Sequence, residues 1–214
     1  MRKLLLSMLA IFLVIGLVGA GSFAWFQDTE TSTGNTFSAG TLDLKVSDDD
    51  EGFGDGVSAT WTMSNMAPGV TAVGPFSVVL TNSGTLAADH VEISFSHSID
   101  EATNPVESDT NPNSTPGEMA RWIEIISMSY TGVDLMVNYS DANGNGFFDL
   151  EDVTMSPYTD EEGPLDNLPP PLPNSGGTRV FNLALKFHAG ATDDIRGDIL
   201  ITTVTFTLNQ DSSQ

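Results

Sequence analysis

The sequence predicts an all-β protein built as a sandwich of two packed sheets. Short segments that alternate apolar and polar residues recur along the chain, and Gly, Pro, Asn or Asp bounds each of them. This is the pattern of strands and turns rather than of helices. The segment Ile199 to Leu208 carries apolar residues on one face and mostly Thr on the other, so one face can be buried while the other meets water.

Eight segments fit this pattern and are predicted strands. In chain order they are Leu42 to Val46, Ser58 to Met63, Phe76 to Asn82, Val91 to Ser98, Ile123 to Tyr130, Asp134 to Tyr139, Val180 to Ala189 and Ile199 to Leu208. The stretch from Met119 to Met128 stays undecided, because its apolar residues also recur at the spacing of one short amphipathic helix.

The N-terminus has the layout of a signal peptide. Arg2 and Lys3 precede an apolar run, and the small residues Ser22 and Ala24 stand where a signal peptidase requires them. We therefore expect residues 1–24 to be a signal peptide cut after Ala24, a mature chain that starts at Trp25, and a secreted protein located outside the cell or at its surface. The alternative is a retained membrane anchor, because the apolar run is long enough to span a bilayer.

The mature chain is strongly acidic. All 29 acidic residues but only five of the seven basic ones lie after residue 24, which gives a formal charge of −24. Such a charge excludes nucleic-acid binding through phosphates and favours divalent cations in the surrounding medium. The chain contains no cysteine, so disulfides and thiol chemistry are excluded as well.

Two long polar inserts separate the strands. They span Ser98 to Gly117 and Thr159 to Gly177, and the second contains five prolines. Consecutive prolines cannot donate ladder hydrogen bonds, so we expect this insert to be surface loop or rim and not core. The remaining length suits one sandwich domain over 41–214 that carries both inserts.

One loop has the ligand spacing of a calcium-binding loop. The side chains at its positions one, three, five, nine and twelve carry oxygen, Gly146 at position six permits the sharp turn, and the Phe147 carbonyl can serve at position seven. Asp152 replaces the usual Glu and reaches less far. An Asp- and Asn-rich turn without a metal is the alternative. The predicted Ca²⁺ ligands are Asp141, Asn143, Asn145, Phe147, Asp149 and Asp152.

The sequence shows no catalytic constellation. His90, His97 and His188 are scattered over strand-like segments, and no spacing typical of a zinc protease, a nucleophile elbow or a phosphate loop is present. We therefore predict that the protein is not an enzyme and has no small-molecule substrate. Asn113 and Asn138 lie in tripeptides that fit the N-glycosylation pattern.

Short motifs lie at the beginning, middle and end of the chain. They are Ala24–Asp28 (AWFQD), Asn35–Leu44 (NTFSAGTLDL), Met66–Gly69 (MAPG), Leu80–Leu86 (LTNSGTL) and Asp194–Ile199 (DIRGDI), with Phe206 and Gln210 after them. Together these motifs resemble the TasA/camelysin family of secreted fibre-forming proteins. The two inserts and the calcium-like loop fall outside this resemblance.

The resemblance implies a jelly-roll sandwich whose subunits assemble into an extracellular filament, either a fibre of the biofilm matrix or a bundling pilus. Segment 25–40 would leave its own domain and add as a strand to the sheet of the next identical subunit, which is donor-strand complementation. A head-to-tail contact that does not close generates a homopolymer, and such filaments can associate in bundles. The residues implied in this contact are Trp25, Phe26, Thr31, Thr33, Thr36 and Phe37.

Two rival functions stay open. One is a camelysin-like surface metalloprotease, which the family name suggests. The other is a calcium-dependent adhesive module of the cell surface that does not polymerise.

Overall fold

The computed structural model describes residues 40–48, 52–55, 69, 73–100, 119–137, 140–191, 195 and 199–211. All of them belong to the second of the two units into which the chain divides, Met1–Ala39 and Gly40–Gln214. The predicted signal peptide and the predicted strand Ser58 to Met63 lie outside the described residues. Within the described part of the chain, no helix has the length and apolar character needed to cross a bilayer.

The described residues form seven strands and one short 3₁₀ turn. The strands are β1 (Leu44–Ser47), β2 (Val73–Asn82), β3 (His90–Asp100), β4 (Ile123–Tyr130), β5 (Val133–Asp134), β6 (Thr178–Phe187) and β7 (Ile199–Asn209), and the turn is Asp152–Thr154. Six of the eight predicted strands therefore coincide with observed ones, with ends that shift by at most three residues, and the all-β prediction is confirmed.

The strands lie in two antiparallel sheets that share one core. The larger sheet has the order β1-β2-β6-β4-β5, and the smaller one pairs β3 with β7. The chain passes from the larger sheet at β2 to the smaller at β3 and back at β4, and it crosses again from β6 to β7. Two antiparallel sheets joined by such crossings form a β-sandwich, which agrees with the predicted architecture.

Apolar side chains at alternate positions of both sheets build the core. The Phe181 ring of β6 lies at its centre, with centroids 6.4 Å from Phe95 of β3 and 5.5 Å from Phe206 of β7, both in edge-to-face geometry. Burial of these rings is the main source of stability at the junction of the two sheets.

The Asn-x-Gly motif after β2 has a structural reason. Asn82 is fully buried, its Oδ1 accepts hydrogen bonds from the backbone N–H groups of Gly84 and Asp43, and its Nδ2 donates to the Leu86 carbonyl. A Cβ at Gly84 would lie 2.1 Å from the Thr41 carbonyl oxygen. The motif therefore brings the segment before β1 and the exit of β2 into close contact.

The predicted strand Asp134 to Tyr139 is wrong at 135–137, which form turns, and its last two residues lie outside the described residues. Thr131 and Gly132 have φ values of 51° and 80°, which is the geometry of a tight hairpin turn from β4 into β5. The Asp134 carboxylate then accepts a hydrogen bond from the Met136 N–H, and this local bond bends the chain into turns at 135–137.

The undecided segment Met119 to Met128 resolves as a turn followed by a strand. Met119 and Ala120 form a helical turn, and the Trp122 N–H donates to the Met119 carbonyl. Strand β4 then begins at Ile123. The register between β4 and β6 shifts around Ile126, which is exposed. This bulge explains why apolar residues in this stretch mimic helical spacing.

Part of the proline-rich insert is core, which corrects the prediction that it is surface alone. Leu165 and Leu168 are buried, and both bond to the edge of β3 that faces away from β7. Val91 exchanges two backbone hydrogen bonds with Leu168, at 2.8 and 3.0 Å, and the Ile93 N–H donates to the Leu165 carbonyl. The insert thus covers one edge of the smaller sheet although its prolines cannot extend the ladder.

Candidate functional site

The predicted calcium-binding loop is a compact turn anchored to β4. The backbone of Phe148 and Leu150 bonds to Ile125 and Ile123 at 2.8 and 3.0 Å, so the second half of the loop runs along the edge of β4. The Phe147 ring stacks on His188 with centroids 3.9 Å apart. These contacts fix the loop to the sandwich.

Its first half curls around the Asp141 carboxylate. Asp141 accepts hydrogen bonds from the backbone N–H groups of Asn145 and Gly146 at 2.9 and 2.8 Å. Gly146 has a φ of 100°, a conformation that favours glycine and that agrees with the sharp turn predicted at position six of the loop.

Asp149 and Asp152 are the most unusual groups of the loop, because both are fully buried at 0 % exposure. Asp152 accepts hydrogen bonds from three backbone N–H groups, those of Ala142, Asn143 and Asp149, at 2.8 to 3.1 Å. Burial raises the pKa of Asp149 to about 6, although its bonds to the Asn143 and Asn145 amides oppose that rise. Burial also raises the pKa of Asp152.

The two asparagine amides fill the space between the carboxylates. Asn143 Nδ2 lies 3.0 Å from Asp149 Oδ2, and Asn145 Nδ2 lies 2.6 Å from the same oxygen. A half-turn of an amide exchanges its nitrogen and its oxygen, so these side chains can also offer oxygen at that place. Among the described residues, Glu151 is the one carboxylate of the loop that lies near a basic side chain, with Arg121 Nε at 3.9 Å from its Oε2. The residues present therefore fit a hard cation.

A second cluster, which the sequence analysis did not identify, lies at the start of β3. His90 and Glu92 come from alternate positions of that strand, and Asp166 comes from the proline-rich insert. His90 is only 2 % exposed. Its Nε2 lies 3.2 Å from Glu92 Oε1 and 3.6 Å from Asp166 Oδ1, and its Nδ1 lies 3.3 Å from Asp89 Oδ2. Among the described His, Asp and Glu residues, this trio alone has three ligand atoms within 4.8 Å of one another.

The surroundings of this cluster are negative and open to solvent. Burial by itself would lower the pKa of His90, but hydrogen bonds to Glu92 and Asp89 and the charge of Asp166 raise it above its ordinary value. Glu92 and Asp166 also line a surface cavity of about 280 Å³, together with Asp160 and Glu161. The cluster is thus reachable by a small cation.

Only part of this cluster could be found in the sequence. His90 and Glu92 are two residues apart on a predicted strand region, and this spacing places them on one face. Asp166 belongs to the proline-rich insert. The path of this insert cannot be predicted from a periodic pattern of apolar residues. His97 and His188 join no such cluster among the described residues. His97 Nε2 lies 2.6 Å from the Leu150 carbonyl, and His188 stacks on aromatic rings.

Among the described residues, the edge of β7 that faces away from β3 has no partner strand, and we call it the open edge. Val91 turns its peptide groups toward Leu168, and because backbone direction alternates along a strand, the even-numbered residues of β3 bond to β7. In this register, the even-numbered residues of β7 are the ones whose backbone N–H and C=O groups point away from β3. No backbone group of the described ranges pairs with them. They are Leu200, Thr202, Val204, Phe206 and Leu208.

The side chains at this edge cover the core incompletely. Leu200, Val204, Phe206 and Leu208 pack against the core but are only partly buried, whereas Val91, Ile93 and Phe95 opposite them on β3 are buried. An apolar strip beside backbone groups that pair with no described residue is suited to receive a further strand.

Several predicted residues lie outside the described part of the chain. They are Ala24 and Trp25 at the cleavage site, Phe26, Thr31, Thr33, Thr36 and Phe37 of the N-terminal segment, and the glycosylation candidates Asn113 and Asn138.

Comparison with known proteins supports the resemblance seen in the sequence. A search of curated proteins finds no match to this chain. A family model described as camelysin metallo-endopeptidase matches residues 1–113, which is just over half of the 214 residues and extends through β3. That family includes the TasA-like proteins. The chain therefore belongs to the camelysin metallo-endopeptidase family.

Proposed function

We propose that this protein is a structural subunit of an extracellular filament, and that its N-terminal segment adds as a strand to the sandwich of the next subunit. The open edge of β7 is the single observation that carries this proposal. It rests on the family membership as well, because the family includes fibre-forming TasA-like proteins.

The edge of β7 has the features of an acceptor. Along its 11 residues, five present N–H and C=O groups on the side away from β3, and an added strand would satisfy them. The same strand would also cover the partly buried side chains of Val204 and Phe206, so both hydrogen bonding and apolar burial would favour its addition.

The N-terminal segment has the features of a donor. Its 15 residues from Trp25 to Ala39 can reach about 50 Å when extended, which exceeds the length of about 36 Å of the 11-residue strand β7. Trp25, Phe26 and Phe37 supply apolar anchors, and the Thr-rich stretch between them favours an extended conformation. Each subunit would then carry one donor and one acceptor, which generates an open-ended chain of subunits.

The chain also contains a second segment that could pair with β7. The predicted strand Ser58 to Met63 lies in the same chain and would close the edge within one subunit. In that case the N-terminal segment would bind elsewhere or remain a tail, and the edge would not join subunits.

Two versions of the mature protein test the proposal, one starting at Trp25 and one starting at Gly40. We expect the first to form filaments in negative-stain images and to sediment, and the second to remain a folded monomer at the same concentration and salt. Filaments formed by the chain that starts at Gly40 would refute strand donation. A monomeric Trp25 chain with calcium-dependent adhesion would favour the adhesive module instead.

Calcium is the proposed ion of the loop at 141–152. The support is the pair of fully buried carboxylates, Asp149 and Asp152, together with the curled turn around Asp141. Calcium prefers carboxylate, amide and backbone oxygens in flexible arrangements. An ion that binds only the folded state at 100 times its Kd stabilises that state by about 2.7 kcal/mol.

A thermal melt with and without Ca²⁺ tests this site. We expect added Ca²⁺ to raise the melting temperature of the wild type and of Glu161→Gln, whose carboxylate lies outside the loop. Asp141→Asn should melt at the same temperature with and without the ion. An equal gain in Asp141→Asn, or none in the wild type, would contradict the proposal.

The family description favours metallo-endopeptidase activity as a second candidate function. A catalytic zinc ion needs about three protein ligands, an open position and a general base. Digestion of casein by the purified mature protein, abolished by a chelator and restored by Zn²⁺, would establish this activity and overturn the non-enzymatic interpretation.

A further inference from the structure

We propose that His90, Glu92 and Asp166 bind a divalent transition metal of the zinc type, and that this ion fastens the proline-rich insert to the start of β3. The inference depends on described residues of one subunit and does not rest on the filament proposal.

The spacing of the ligand atoms suits a tetrahedral ion. Bonds of about 2.0–2.1 Å around a tetrahedral centre place neighbouring ligand atoms about 3.3 Å apart. His90 Nε2 lies 3.2 Å from Glu92 Oε1 and 3.6 Å from Asp166 Oδ1, so two edges of the tetrahedron are already near that length. The three ligand atoms all lie within 4.8 Å of one another, which small side-chain rotations can close.

The imidazole is oriented for metal binding through one nitrogen. Asp89 Oδ2 lies 3.3 Å from Nδ1, close enough to accept a proton from that nitrogen. In the tautomer that carries its proton on Nδ1, the lone pair of Nε2 is available to a metal. A carboxylate behind a ligating histidine is the usual outer partner of such a site and raises the basicity of the ring. Asn209 Nδ2 lies 3.1 Å from the same Nε2, and its amide must turn to admit the ion.

The charge of the cluster favours an added cation. Three carboxylates, those of Asp89, Glu92 and Asp166, surround one imidazole. Within the described residues, no Lys or Arg forms an ion pair with any of the three. Even a protonated His90 leaves an excess of two negative charges, and a divalent ion on a neutral ring would leave one.

The ligand types favour zinc over calcium. Calcium takes six to eight oxygen ligands, whereas one imidazole and two carboxylates are typical zinc ligands. The imidazole nitrogen also distinguishes this site from the loop at 141–152, because the side chains of that loop offer only oxygen ligands.

An ion at this place would join two distant parts of the chain. Asp166 lies in a turn of the insert, beside Leu165, which already bonds to Ile93 of β3. The ion would add a further attachment between the insert and β3, beside the backbone bonds of Leu165 to Ile93 and of Leu168 to Val91. His90 also pairs with Asn209 at the end of β7. Bound metal should therefore stabilise the insert and the smaller sheet together.

Calorimetric titration of the metal-free mature protein with Zn²⁺ tests the site. We expect one ion per chain and a higher melting temperature. Glu92→Gln and Asp166→Asn should each weaken this binding at least tenfold, and Asp89→Asn should weaken it about 10- to 100-fold through the ring orientation. Glu161→Gln, which lines the same cavity outside the cluster, should bind as the wild type does.

A measurement on the wild-type protein tests the site even if the variants do not fold. Zn²⁺ should shift the ring signals of one of the three histidines in ¹H–¹⁵N spectra, and that histidine should be His90. Absence of Zn²⁺ binding, unchanged His90 signals, or full binding by folded Glu92→Gln and Asp166→Asn would each overturn the proposal. Loss of Zn²⁺ binding with intact filaments would leave the filament proposal standing.

Discussion

Replacing Val204 by proline tests whether the open edge of β7 joins subunits. The N–H of Val204 points away from β3 in the observed register, so its loss leaves the β3–β7 ladder intact. Proline is tolerated on edge strands at such positions, and its ring has about the volume of the valine side chain. We therefore expect Val204→Pro to fold in the chain that starts at Gly40.

The size of the effect of Val204→Pro on filament growth follows from the contacts that an added strand would lose. One backbone hydrogen bond contributes about 0.5–1.5 kcal/mol net, and the proline ring also keeps the neighbouring part of the added strand at a distance. Together these effects weaken the binding free energy between two subunits by about 1–3 kcal/mol. That loss corresponds to roughly a 5- to 150-fold higher critical concentration for filament growth.

The critical concentration is measured by sedimentation of the mature protein at fixed salt, and circular dichroism follows folding. Val204→Ile is the matched control, because it keeps the N–H and an apolar β-branched side chain and should polymerise as the wild type does. An unchanged critical concentration for Val204→Pro would refute the use of this edge. Unfolding of the Gly40 chain by the same substitution would show that a strand of its own already covers β7.

Two further predictions concern the fold itself. Gly84→Ala should lower the free energy of unfolding by about 3 kcal/mol, because its Cβ would lie 2.1 Å from the Thr41 carbonyl oxygen, whereas Gly52→Ala meets nothing within 4 Å and should be neutral in the same urea titration. Burial lowers the pKa of His97 below its ordinary value, despite the bond of the ring to the Leu150 carbonyl. The unfolded chain therefore takes up a proton below about pH 6.5 that the folded chain does not, and wild-type stability falls as the pH drops through that value. His97→Gln should lose less stability than the wild type between pH 7.5 and 5.5 in thermal melts, and equal losses would show that His97 does not contribute.

The strands were predictable because apolar and polar residues alternate along them in the sequence. Ile123 to Tyr130 matches β4 at both ends, since apolar and polar residues alternate there and a turn follows at Thr131. The predicted strand Asp134 to Tyr139 failed at 135–137 because a local hydrogen bond from the Met136 N–H to the Asp134 carboxylate outweighs the apolar pattern. Local sequence patterns identify strands, but they do not reveal where a side chain competes with strand pairing for backbone hydrogen bonds.

The candidate sites were predictable only where one short segment carries them. The loop that starts at Asp141 was visible because all of its candidate ligands lie within twelve residues. The cluster of His90, Glu92 and Asp166 was not, because its third member joins through the path of the insert. The open edge of β7 likewise depends on the order of strands in a sheet, which strand patterns alone do not determine.

The identity of the strand beside β7 in an assembled filament tests the central claim most directly. A cryo-electron microscopy map of filaments grown from the mature protein would show that strand and the chain to which it belongs. The account predicts residues between Trp25 and Ala39 of the neighbouring subunit, with aromatic side chains against Val204 and Phe206. A strand from the same subunit at that position, such as Ser58 to Met63, with the N-terminal segment bound elsewhere, would contradict it.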